Sequence, residues 1–184
     1  MTTSDLIRWG GIAAMLGGVL WVVWNNLFRV SFEAAGGPFS HGVLLLAALF
    51  TLAGLVGLHA LQEGSYGRIG RAGFYTAALG LLAQALAALV LLMGSEALLW
   101  LVAPVGSLVV LVGLVLYGAA TLQAMVLPPW CGLALIVVVP IAFYLNSRVF
   151  YGSLALFGVL WVALGYVLWS RGGTPTEQRP SRVR

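Results

Sequence analysis

Six apolar runs follow one another along this 184-residue chain, and none of their interiors holds an Asp, Glu, Lys or Arg. Each approaches the ~20 residues that a helix needs to cross the hydrocarbon of a bilayer. They extend from Trp9 to Leu27, His41 to Leu61, Ala72 to Met93, Ala97 to Met125, Pro129 to Leu145 and Phe150 to Ser170. Lipid offers backbone N–H and C=O groups no outside partner, so such runs must satisfy them internally, as helices do. The predicted fold is all-α: a polytopic transmembrane helical bundle of six spans over residues 1–170. Residues 171–184 contain Gly172, Gly173, Pro175 and Pro180 and little apolar surface. A disordered basic tail is expected there.

Composition excludes the soluble alternatives. Only 8% of residues are charged and 61% are apolar, whereas about a quarter of a soluble globular chain is charged. The nine basic residues are all arginine, as in GC-rich bacterial genes, and outnumber five acids. They are too scattered for a nucleic-acid surface, which needs a basic stripe on one face. The single cysteine, Cys131, permits neither an internal disulfide nor a C-x-x-C redox or zinc pair. The first run is too long for a signal-peptide core and lacks a small-x-small cleavage site, so it reads as a retained anchor.

Arginine placement gives an orientation. One side would carry Arg8, Arg68, Arg71, Arg171, Arg179, Arg182 and Arg184, the other only Arg29 and Arg148. The positive-inside rule then puts both termini in the cytoplasm, with the chain in the bacterial plasma membrane. Trp9, Trp130 and Trp169 fall at the inner headgroup level, and Trp24 and Tyr144 at the outer one. For Arg68 and Arg71 topology is a sufficient role, an anionic-lipid contact being the alternative. Pro104 and Pro140 lie inside their runs and should kink them, Pro104 dividing a short outer helix from an over-long span.

Helices in lipid associate through small residues spaced four apart. Gly10, Ala14 and Gly18 form such a row, as do Thr76, Gly80, Gln84 and Ala88, and Gly106 and Gly113 mark a third. Two readings stay open: contact inside the bundle, or a face for a membrane partner subunit or a second copy. The pentapeptide GVLWV occurs twice, at Gly18 to Val22 and Gly158 to Val162. In a chain this rich in Gly, Leu and Val, such a match reads as coincidence.

Chemistry-bearing residues are few. Gln84 is the one strongly polar side chain near mid-span, and a buried amide in lipid is either an interhelical hydrogen-bond partner or a substrate contact. Together with Trp21, Asn25 and Asn26 it forms the candidate set for a small, largely apolar ligand. His41 and His59 are 18 residues apart, roughly 27 Å along one helix, too far to share one iron. A His59–Met125 pair is the remaining haem arrangement, and nothing in the spacing requires it. No cofactor and no metal are therefore expected. The sequence has no H-E-x-x-H, Walker A motif or intramembrane carboxylate, so no enzyme is expected either.

The segment from Gly54 to Gly80, with GLVGLHALQEG followed by GRIGRAGFY, resembles small multi-pass membrane proteins of actinobacterial type. So does GVLWVALGYVLWSR at Gly158 to Arg171. The resemblance covers about a quarter of the chain and implies a multi-pass helical fold without implying an activity. In size and span number the chain also resembles the substrate-binding subunits of energy-coupling-factor transporters. In those subunits a small-residue row on the first helix docks a membrane partner, a role that falls here on Ala14 and Gly18. The leading expectation is a non-enzymatic accessory or structural subunit acting through helix contacts. The alternative is a binding or transport module for a small apolar molecule.

Overall fold

The structure, a computed structural model, describes residues 3–26, 38–94, 99–148 and 154–172. Six helices follow in order: α1 (Thr3–Val23), α2 (Pro38–Gln62), α3 (Arg68–Leu92), α4 (Leu99–Ala124), α5 (Pro129–Arg148) and α6 (Leu154–Gly172). All six are long and apolar enough to cross a membrane. The expected span ends at Leu27, Ala97 and Phe150, together with Arg29 and the tail from 173 onward, lie outside the described residues. The side chain of Arg148 does too.

Helices α1, α2 and α3 begin before their apolar runs do. Helix α1 begins six residues before Trp9 and α3 begins four before Ala72, because backbone hydrogen bonding continues into polar flanks that hydropathy does not register. Proline opens α2 and α5, where a missing N–H costs nothing. Helix α3 ends at Leu92, and Gly94 just beyond its cap has φ +77°, the left-handed conformation that closes a helix C-terminus. The Gly94 N–H bonds the Leu91 carbonyl at 3.0 Å. Helix α4 runs through Pro104 without dividing and α5 runs through Pro140. The expected split at Pro104 does not occur: proline removes one ladder bond, and the remaining turns hold the helix.

The helices close into a ring in chain order. Each touches its sequence neighbours, α6 returns to α1, and α2 and α6 meet briefly across the middle. The α1–α6 and α3–α4 contacts are the most extensive, and α5–α6 is the lightest of the ring. Close approach depends on missing side chains. A Cβ on Gly10 would lie 2.7 Å from the Cα of Gly57, and one on Gly165 would lie 2.6 Å from the Gly11 carbonyl oxygen. Gly18 and Gly158 face each other in the same way, so the two GVLWV segments lie antiparallel across one interface, Gly18 against Val162 and Gly158 against Val22.

Both described termini lie at one end of the ring. The Cβ position of Gly172 is 3.1 Å from Arg8, and the Arg171 guanidinium donates to the Val126 carbonyl between α4 and α5. Arg68 and Arg71 are exposed at this same terminal end.

Candidate functional site

Toward the opposite, far end the ring encloses a cavity of about 670 Å³, within the 300–1,000 Å³ typical of small-ligand sites. Every helix contributes to its wall: Trp21 from α1, with Trp24 just beyond its end, Leu44 from α2, Gln84 from α3, Ser107 and Leu111 from α4, Phe143, Tyr144 and Asn146 from α5, and Leu154 from α6. Pro104 and Pro140, the prolines inside α4 and α5, both line it. Among the described residues no Asp, Glu, Lys, Arg or His lines the cavity.

Its polar side chains include Asn146, two residues from the end of α5, and, deeper in the helices, a hydrogen-bonded pair. Gln84 Nε2 donates to Ser107 Oγ at 3.0 Å across the α3–α4 interface. That leaves the second amide N–H, the amide oxygen and the serine hydroxyl proton for a guest. Gln84 lies eight residues before the end of α3, about 12 Å inside the helix end. The small residues beside it bring the helices close enough for this bond: Gly80 faces Val110, and Gly106 faces Ala83 and Gln84.

An aromatic cluster forms the side opposite. Phe143 meets Phe157 edge to face at 5.8 Å, Phe157 meets Trp21 at 5.5 Å, and Trp21 meets Trp24 at 6.0 Å. This geometry suits ring quadrupoles, and it bridges α1, α5 and α6 where α5 and α6 otherwise touch least. Trp21 Nε1 donates to Thr51 Oγ1 at 3.1 Å, and Thr51 in turn donates to the Ala47 carbonyl at 2.7 Å. The indole is thereby held in one orientation. Trp21→Phe should cost about 1 kcal/mol, a loss of roughly 2–4 °C in thermal midpoint, as measured by unfolding in detergent.

Of the four candidate ligand residues, Trp21 and Gln84 come together in the cavity wall; Asn25 and Asn26 do not. Asn26 is exposed and bonds the Val22 carbonyl at 2.9 Å. Asn25 is fully buried, and neither of its amide atoms has a hydrogen-bond partner among the described residues. Gln62, at the terminal end of α2, is buried in the same condition. The small-residue rows are occupied within the ring. Gly10 and Ala14 meet Gly57 and Gly54 of α2, Gly18 meets α6, and the backbone at Thr76 lies under Gly113 of α4. Sequence reasoning missed Ser107, although a lone hydroxyl in the outer half of α4 was a signal for it. It also missed the shared position of the two intrahelical prolines.

No protein-family model matches this chain. No curated protein and no solved structure matches it either. The site's reading therefore rests on its own geometry.

The histidines sit elsewhere. His59 stacks on Phe74 with centroids 3.9 Å apart, and the Tyr66 hydroxyl bonds its Nδ1. Met125, its prospective haem partner, points out from the α4–α5 turn with φ +51° and is exposed. Among the described residues no group of three His, Cys, Asp or Glu side chains is placed to hold a metal. Burial pushes the Tyr66 phenol above its ordinary pKa, assisted by the nearby Glu63 carboxylate. The unfolded chain then loses this proton first as pH rises, so stability should fall above about pH 10. Tyr66→Phe should flatten that decline in a pH series of thermal midpoints.

Proposed function

We propose that this chain is an integral membrane protein that binds a small, largely apolar molecule in the six-helix cavity, as a binding or transport module without chemistry of its own. The observation that carries the reading is the cavity itself: every helix contributes to it, its walls are mostly apolar and aromatic, and the Gln84–Ser107 pair supplies direction at depth. A wall of this kind excludes charged guests, because an unpaired ion there would cost several kcal/mol in desolvation. Seven of nine arginines assigned to the side of the termini support both termini being cytoplasmic, so the cavity faces the outer half of the membrane. The arginine-only basic set supports a bacterial plasma membrane.

The accessory-subunit reading drew on the Gly10–Ala14–Gly18 face, which α2 and α6 occupy. Its motivating feature is thus accounted for inside the bundle.

Native mass spectrometry on protein released gently from its own membrane tests the binding reading. A stoichiometric small molecule is expected, retained about tenfold less well by Gln84→Leu, the equivalent of roughly 1.4 kcal/mol. Bare polypeptide, or a co-purifying subunit without a small molecule, would contradict it.

A further inference from the structure

Helices α4 and α5 meet closely at the terminal end, where a Cβ on Gly118 would lie 2.9 Å from the Gly132 carbonyl oxygen. Toward the far end they part around the cavity. Leu108 of α4 and Tyr144 of α5 both line it, yet they are 62% and 65% exposed. Each also belongs to the outward row of its own helix, with Val105, Val112 and Leu116 on α4 and Val137 and Ile141 on α5. The cavity wall thus continues between α4 and α5 onto the apolar flank of the bundle. Leu108 lies nine residues inside α4, about 14 Å from the helix end, a depth that belongs to hydrocarbon and not to water.

From this opening, and resting on the binding reading above, we infer that the cavity takes its ligand sideways from the bilayer: an uncharged single-chain lipid whose hydroxyl or carbonyl head bonds Gln84 and Ser107. Three observations select that chemistry. Among the described residues the wall has no charged group to pair with an ionic head. The Gln84–Ser107 pair offers both donor and acceptor, which a hydroxyl uses fully and a carbonyl uses in part. Pro104, Leu108 and Tyr144 line the cavity and are exposed, a largely apolar surface along which an alkyl chain can pass from the flank inward.

The test is photolabelling of the full chain in phosphatidylcholine vesicles doped with a long-chain alcohol carrying a mid-chain diazirine, with adducts mapped by peptide mass spectrometry. Adducts are expected on Trp21 and Leu44, inside the cavity. They should fall about tenfold in Gln84→Leu, while labelling of the outward Val112 and Leu116 stays constant as the control for folding. Adducts confined to the outward rows of the wild-type protein would overturn the proposal. A parallel sample receives a short diazirine alcohol from the aqueous phase. If only that probe reaches Trp21 and Leu44, the binding reading stands and the membrane route and lipid ligand fall. If neither probe reaches them, both fall.

Discussion

Leucine at Gly18 or at Gly158 is expected to abolish the folded bundle. The two glycines face each other across the α1–α6 interface, and a single Cβ on Gly158 would already lie 2.5 Å from the Gly18 carbonyl oxygen. The obstructing atom is backbone, so no rotamer change relieves it, and leucine adds three carbons beyond the Cβ. Overpacking one side chain costs about 1–3 kcal/mol where neighbours can yield. Here they cannot, and separating the helices would sacrifice the contact that closes the ring. Against a total stability of about 5–15 kcal/mol, aggregation or loss of a monodisperse peak in size-exclusion chromatography is the predicted result. The control is Gly42→Leu, since nothing lies within 4 Å of that Cβ position and the thermal midpoint should stay unchanged. A Gly18→Leu protein with the wild-type midpoint would refute the antiparallel α1–α6 register.

The second large effect concerns the cavity. Leu111 faces it from α4, and Leu111→Trp would place an indole in the space assigned to the ligand. Bound small molecule should fall by more than about tenfold, with no loss of thermal midpoint, since atoms lining a void gain contacts when it is filled. Loss of fold would mean that the space is not open enough to hold a guest. Unchanged retention would mean that the guest sits elsewhere.

Helix number was legible because hydropathy has a direct physical cause: an apolar run of about 20 residues satisfies its backbone groups internally as a helix. What hydropathy does not encode is pairing. The two GVLWV segments looked like coincidence in a Leu-, Gly- and Val-rich chain, yet they form the two sides of one interface. The small-residue rows were legible as contact faces, but not which neighbour each would meet; Gly10 and Gly18 share a row and face different helices. In the site, Gln84 and Trp21 stood out as polar or amphipathic residues at depth. Asn25 and Asn26, adjacent in sequence, diverged into a buried and an exposed side chain, since successive residues on a helix point about 100° apart. Ser107 and Phe143 became meaningful only when α3, α4 and α5 were brought together.

The most direct measurement is an experimental structure of the protein in a lipid nanodisc, resolved well enough to show density between Gln84, Ser107 and Trp21. Elongated non-protein density ending within hydrogen-bond distance of the Gln84–Ser107 pair is the predicted result. A cavity collapsed by inward movement of α4 and α5, or one holding only water, would contradict the account.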